Sequence, residues 1–372
     1  MRFIPVCEPL LAGKELEYVT DCIKTNWISS SGKYIEFFEK GFAEYCGVKH
    51  GVSASNGTTS LHLALASLGL KPGDEVIMPA FTIGSTAFAA VYCGAKPVLV
   101  DCERDTWNMD VSKLSEKITK KTKVIMPVHM YGQTCDMDPL LELAEKHDLY
   151  VVEDAAEVHG AEYKGRKAGS MGDISSFSFY SNKIITTGEG GMILTDDNAI
   201  AERARSLKNL AHSKEKRFLH HDVGFNYRMT NIQAAIGLAQ LERIDEYVEM
   251  RRRNAKLYSE LLSDVEGLTL PVERRWVKNV YWMYSLLVED SFGMPRDKLM
   301  EELREKGVDT RTFFIPMNQQ PVFREMGLFK GEKYPVSDEI GEKGFYLPSG
   351  SGLSDEEIAY VCDCIKEIKK KI

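Results

Sequence analysis

The chain has 372 residues, enough for two domains and a large core. With 44% hydrophobic and 27% charged residues it has the composition of an ordinary soluble globular protein. Forty-seven basic residues stand against 55 acidic ones, a net charge of −8, and the basic residues are dispersed, which argues against nucleic acid or an anionic membrane as the main partner.

In chain order, "GVSAS" (51–55), "EVIMP" (75–79), "PVLVD" (97–101), "KVIMPV" (123–128) and "LYVVED" (149–154) read as strands. Between them, "TTSLHLALASLGL" and "MDPLLELAEKHD" carry apolar residues at helical spacing. Near-continuous apolar strands separated by amphipathic helices predict a mostly parallel sheet covered on both faces. Ligands of such sheets sit beyond the carboxyl ends of the strands, and those ends here carry Ser55-Asn56-Gly57-Thr58, Asp101, His129 and Asp154. After "MILTDD" one long helical pattern runs from about 231 to 263. "YWMYSLLVED", "DKLMEELREKGVDTRTFF" and "DEEIAYVCDCIKEIKKKI" then alternate strand and helix in a smaller unit. This organisation predicts a large domain over 1–245 and a small C-terminal α/β domain over 246–372. The basic cluster "MRRRNAK" (250–256) reads as the solvated face of a helix.

Eight scattered cysteines show no CxxC pair, and eight histidines show no HExxH or comparable spacing, so neither a metal site nor a disulfide framework is expected. The N-terminus lacks a charged segment followed by an apolar one, and no run of eighteen apolar residues occurs. The expected compartment is the cytoplasm.

Three segments carry chemistry. In "SNGTTSLHLAL" a strand end meets a Gly57 turn, and Thr58, Thr59 and Ser60 open a helix; free N–H groups, the helix dipole and hydroxyls together form a phosphate seat, although a plain N-cap would explain the same residues. In "LYVVEDAAEVHGAEY", Asp154 closes an apolar strand, where a carboxylate is costly without a cationic partner such as a pyridinium nitrogen; capping of a following helix is the other reading. In "SSFSFYSNKIITTGEGGMILTDD", Lys183 is the only charged side chain between Asp173 and Glu189. Desolvation there lowers its pKa, and a neutral amine condenses with aldehydes. Glycines 188, 190 and 191 read as a turn that brings backbone close to something flat. A phosphate seat, a strand-end aspartate and a desolvated lysine on one sheet are together what pyridoxal 5′-phosphate requires.

"EDAAEVHGA", "GDISSFSFYSNKIITTGEGGMI" and "GFNYRMTNIQAAIGLAQL" resemble the DegT/DnrJ/EryC1/StrS family of nucleotide-sugar aminotransferases, along nearly the whole chain. The resemblance implies a fold type I, aspartate aminotransferase-like large domain and transfer of an amino group from L-glutamate to a nucleotide-linked keto sugar. Within the family, "TNWISSSGKYIEFFEKGFAEYCGVKHGVSASNGTTSLHLAL" resembles the branch that aminates C4 of GDP-4-keto-6-deoxymannose, with dTDP- or UDP-linked 3- or 4-keto sugars as alternatives. The family resemblance implies that Lys183 binds the cofactor aldehyde, that Asp154 pairs with the ring nitrogen and that Glu157 lies near the ring 3′-oxygen. Gly57, Thr58 and Ser178 would hold the phosphate, and Asn226 would reach it from the other subunit of a homodimer, with Arg228 near the same interface. Ile83 stands where many relatives stack an aromatic on the cofactor ring, so ring packing is aliphatic or comes from Phe81. Substrate contacts are implied for Arg228, Phe313 and Asn318, the last replacing a histidine of the family's common loop. Two rivals, a sugar dehydratase of the same fold and a non-catalytic cofactor-binding protein, fit less well: the first carries histidine in place of Lys183, and the second has no need to keep all three features.

Overall fold

The computed structural model describes residues 3–213, 215–216 and 218–372. Helices α1 (Glu15–Lys24) and α2 (Lys33–Cys46) lead into β1 (His50–Ala54), α3 (Gly57–Ser67), β2 (Glu75–Pro79), α4 (Gly84–Tyr92), β3 (Lys96–Val100) and β4 (Thr122–Ile125). Then come α5 (Met137–His147), β5 (Tyr150–Asp154), the two-residue strands β6 (Glu162–Tyr163) and β7 (Arg166–Lys167), β8 (Ile174–Ser178), β9 (Gly191–Thr195) and α6 (Asn198–Lys208). The remainder is α7 (Asn231–Leu241), α8 (Ile244–Leu262), β10 (Leu268–Thr269), β11 (Val277–Lys278), β12 (Tyr284–Val288), α9 (Arg296–Glu305), β13 (Arg311–Thr312), α10 (Pro321–Glu325), α11 (Pro335–Lys343), β14 (Gly344–Leu347) and α12 (Asp355–Lys369).

The main sheet has seven strands in the order β1-β9-β8-β5-β4-β2-β3. Strands β3, β2, β4, β5 and β8 pair in parallel, and β9 runs against both of its neighbours. All five residues of β2, β8 and β9 are buried, as expected for a sheet covered on both faces. Because the parallel strands share one direction, the segments after β2, β4, β5 and β8 emerge at one edge, and there the sheet presents its polar residues.

A second, antiparallel sheet has the order β10-β12-β14-β13. Tyr258, Leu286, Phe292, Leu299, Phe345 and Ile365 form its core with α8, α9 and α12. The beginning of the chain joins this core: Ile4 is buried in it and bridges to Val308. Residues from the later chain also enter the main-sheet core, where Met317, Phe323, Phe329 and Tyr334 pack with Val52 and Leu99.

The long helical pattern over 231–263 is two helices. Arg243 leaves helical geometry (φ −124°, ψ 13°), and its side chain is held by Ala12 O and Glu246. The break lets α7 pack on α1 and α2 while α8 packs on α12. Apolar periodicity runs through such a break because both helices bury one face. The cluster 250–256 is likewise not wholly a solvated face: Arg251 is 3% exposed, and its guanidinium donates to Ser351 Oγ and to the carbonyl of Trp282.

Candidate active site

A cavity of about 610 Å³ opens at the carboxyl ends of the parallel strands. Its wall takes residues 56–59 from the start of α3, Ile83 and Ser85 after β2, Val128 after β4, Asp154 and Glu157 from β5 onward, and Ser178 and Lys183 from the end of β8. Tyr227, Trp282, Phe314 and Tyr346 close the far side.

The start of α3 is set by a reciprocal cap. Thr59 N donates to Asn56 Oδ1 at 2.9 Å, and Asn56 N donates to Thr59 Oγ1 at 3.1 Å. At any helix start the first N–H groups have no intrahelical carbonyl, so those of Gly57 and Thr58 remain available to an anion. A Cβ on Gly57 would lie 2.7 Å from Ser178 Cβ, so glycine is what allows this turn to approach the end of β8. Thr58 Oγ1 lies 2.9 Å from Ser85 Oγ, which groups hydroxyls from two helix starts.

Strand alternation sends the adjacent carboxylates Glu153 and Asp154 to opposite faces. Glu153 turns into the structure, accepting from the N–H groups of Gly169, Met171 and Gly172 and lying 3.0 Å from His129 Nε2. These hydrogen bonds hold its carboxyl below the ordinary range despite burial. Asp154 faces the cavity, 2% exposed, and receives the Thr86 hydroxyl at 2.9 Å and the N–H of Ala156 at 3.3 Å. Burial raises its carboxyl above the usual value, with Thr86 opposing. Glu157, 4% exposed, accepts the N–H of Tyr131 at 2.8 Å, and burial pushes it up to about 7.

Lys183 is half-buried at the end of a tight turn in which its N–H donates to Tyr180 O at 2.9 Å. Desolvation lowers its pKa, partly offset by Glu157 and Asp154. The amine is therefore poised to exist neutral more readily than an exposed lysine. Beneath it, His159 is fully buried among Phe42, Phe177 and Phe179; desolvation lowers its pKa to about 3, which keeps the imidazole neutral.

The cavity thus gathers Gly57, Thr58, Ile83, Asp154, Glu157, Ser178 and Lys183. Ile83, 44% exposed, lines it, whereas Phe81 is fully buried against Tyr131, Phe313 and Phe314. Phe313 is 2% exposed in an aromatic cluster with Trp107 and Tyr131, and its neighbour Phe314 is the one that reaches the cavity. The reason is alternation: Phe313 follows the short strand β13 and turns inward. Asn318 lies off the cavity wall, its amide donating to Asp338 Oδ1 at 3.0 Å. Asn226 is exposed and accepts from Arg228 Nε at 2.8 Å; neither lines this chain's cavity, although Tyr227 between them does. Gly191 approaches backbone rather than a flat group, since a Cβ there would meet the carbonyl oxygen of Asn56 at 2.4 Å.

The sequence reading passed over Thr86, Trp282, Tyr346 and Arg251. Thr86 lies in "FTIGST" as an ordinary helix-start threonine, and its partner is 68 residues away. Trp282 and Tyr346 sit in patterns that read as buried strands.

The profile of the DegT/DnrJ/EryC1/StrS aminotransferase family matches residues 9–366. GDP-perosamine synthase of Caulobacter vibrioides is 46% identical over 366 residues, covering 98% of each chain, and GDP-perosamine synthase of Escherichia coli O157:H7 is 44% identical over 99% of each. Among solved structures, DesV of S. venezuelae superposes with a TM-score of 0.93 at 32% identity, covering 100% of both chains. Spr1654 of Streptococcus pneumoniae in its PLP form gives 0.92 at 28% identity, covering 99% of both. This chain is an enzyme that belongs to the DegT/DnrJ/EryC1/StrS aminotransferase family.

Proposed function

We propose that this enzyme holds pyridoxal 5′-phosphate and transfers an amino group from L-glutamate to C4 of GDP-4-keto-6-deoxymannose, giving GDP-perosamine. The observation that carries the reading is the convergence of Lys183, Asp154 and the start of α3 on one cavity. The substrate rests on the name shared by the two synthases that are 46% and 44% identical over nearly the whole chain.

The residues fit the cofactor. Asp154 is a buried carboxylate with hydrogen-bond donors but no cation paired to it among the described residues, the setting in which a protonated ring nitrogen is a good partner. The N–H groups of Gly57 and Thr58, with the hydroxyls of Thr58 and Ser178, suit a phosphate. Ile83 offers an aliphatic face. When bound, pyridoxal phosphate supplies an aldehyde that takes up the amino group and a ring that accepts the electron pair released at the donor's α-carbon.

The chain's own groups then have separable tasks. Lys183 Nζ takes a proton from the α-carbon of the amino donor and later delivers one to the sugar carbon that receives nitrogen, so one group must serve as base and as acid. Its lowered pKa suits both roles near neutrality. Asp154, its carboxylate held in place by Thr86, would face the ring nitrogen and favour its protonated form. Glu157, whose carboxyl burial pushes up to about 7 in the cofactor-free chain, would lie near the ring oxygen and hold a proton shared with it.

The reading includes a homodimer in which Asn226 reaches the partner's phosphate site and Arg228 the substrate nearby. Support comes from the exposure of Asn226 off its own cavity, and from the large apolar side chains Leu16, Ile23, Trp27 and Ile28 left exposed on and after α1. Within each subunit we place the division of the chain near residue 245, because the seven-stranded sheet is built before it and the four-stranded sheet after it, while the small sheet β11-β6-β7 bridges the two.

The test is a panel of GDP-, dTDP- and UDP-linked 3- and 4-keto sugars offered with L-glutamate, read by the product mass change from carbonyl to amine. Conversion of the GDP sugar is the expected result. Conversion of only dTDP- or UDP-linked sugars would replace the substrate and keep the chemistry, and conversion of none would overturn the reading.

A further inference from the structure

Lys183 Nζ lies 3.6 Å from the centroid of the Trp282 ring, within contact range of its face. Trp282 is 3% exposed and held on three sides. Its indole Nε1 donates to Asn182 O at 2.9 Å, so the ring is tied to the residue that precedes the lysine. Its own carbonyl accepts from the buried Arg251, and its ring stacks on Tyr131 at 6.1 Å and 14°. The ring cannot leave Lys183 without breaking these contacts.

We infer that Trp282 is a positioning residue for Lys183: its π face seats the charged form of Nζ without offering it a carboxylate, and leaves the neutral amine free to turn toward the cavity. The inference rests on the reading of Lys183 as the proton carrier. A lysine that must alternate between acid and base is poorly served by a close carboxylate, which would hold it protonated. A ring face stabilises the cation more weakly, by an amount that matters in a desolvated site. The groups facing Nζ from the surrounding elements are Asp154 at the end of β5, Glu157 after it, His159 below, Cys7 from the N-terminal segment and Arg251 on α8, with Tyr346 on the cavity wall. Among the described residues none of these closes a hydrogen bond or ion pair on Nζ: Glu157 and Asp154 act on it through their charge alone, and the Trp282 ring is the group in contact with it.

Fluorinated tryptophans installed at position 282 test this, because fluorine withdraws electron density from the ring face while keeping its shape and its N–H. In the full-length chain freed of cofactor, the protonation of Lys183 is read from the pH dependence of its acylation by acetic anhydride, followed by peptide mass spectrometry. With tryptophan, monofluoro- and trifluorotryptophan in turn, the midpoint of Lys183 should fall stepwise, by on the order of one pH unit across the series. The pH limb of the glutamate half-reaction in the holoenzyme should move the same way. A midpoint that does not move with fluorination would overturn the inference, since a purely structural tryptophan would leave it unchanged. Borohydride trapping of the cofactor in the unsubstituted holoenzyme separates the two failures: a label on another lysine overturns the role of Lys183 itself, while a label on Lys183 with an unmoved midpoint overturns only the role of Trp282.

Discussion

Thr86 donates its hydroxyl to Asp154 Oδ2 at 2.9 Å, joining the start of α4 to the end of β5, with both residues buried. The bond settles which way the carboxylate faces before any ligand is present. Thr86→Val keeps the shape and removes the donor, leaving a buried acceptor short of a partner. We expect it to lower the unfolding free energy by about 1.5–3 kcal/mol, measured by urea denaturation. A loss under about 0.5 kcal/mol would mean that the bond holds nothing in place.

Asp154 itself is predicted to matter for chemistry more than for folding. Asp154→Asn retains hydrogen bonding and removes the charge that favours a protonated ring nitrogen. The glutamate half-reaction, followed by stopped-flow loss of the cofactor's absorbance, should slow by several orders of magnitude. Near-normal rates would reduce Asp154 to a structural carboxylate.

Glu157 makes the stability of the cofactor-free chain depend on pH with a defined sign. Burial holds its folded carboxyl up to about 7, against an ordinary value of 4.5, so between these values the folded chain keeps a proton that the unfolded chain has lost. This group's stabilising contribution is complete below about pH 4.5 and is lost as pH rises through about 7. Relative to Glu157→Gln, the wild-type chain should lose up to about 3 kcal/mol between about pH 4.5 and pH 7.5. Parallel curves for the two proteins would contradict the shift.

Gly57→Ala places a methyl group against Ser178, whose Cβ would lie 2.7 Å away. Either the turn or the end of β8 must move, and both belong to the proposed phosphate seat. Cofactor affinity should fall by about tenfold or more, equivalent to roughly 1.4 kcal/mol, by fluorescence titration. Unchanged affinity would move the phosphate site elsewhere.

Complementation tests the proposal that the active site is shared between two subunits. Asn226→Asp can still accept the Arg228 bond seen within the chain but would repel a partner's bound phosphate. When it is refolded together with Lys183→Ala, about half the dimers are mixed, each with one intact site, and about a quarter of wild-type activity should return. A mixture as inactive as either protein alone would show that Asn226 does not cross the interface.

How much of this was legible in the sequence depended on whether the signal was local. Five of the main sheet's seven strands were, because runs such as "EVIMP" and "LYVVED" are mostly apolar and each ends in a turn; β8, with its serines, and the antiparallel β9 were not. Asp154, Lys183 and the Gly57 turn were, because each is an exception to its own surroundings. The split between α7 and α8 was not: Arg243 is an ordinary helix former, and only its tie to Ala12 O, 231 residues away, shows why the helix stops there. Arg251 looked like one of a solvated cluster because nothing local marks which arginine of "RRR" turns inward. Phe313 and Phe314 could not be told apart without knowing where β13 ends, since one residue of slip exchanges wall and core. Trp282 escaped for the same reason as Thr86: its partner is distant in sequence, and a tryptophan beside a strand needs no further explanation.

The most direct test of the account follows nitrogen itself. Holoenzyme is given L-glutamate carrying heavy nitrogen together with GDP-4-keto-6-deoxymannose, and the purified product is examined by nitrogen–proton correlation and mass spectrometry. The account predicts heavy nitrogen bonded at C4 of the sugar in wild-type reactions and none with Lys183→Ala. Heavy nitrogen at another carbon, its absence from the sugar, or undiminished transfer by Lys183→Ala would contradict it.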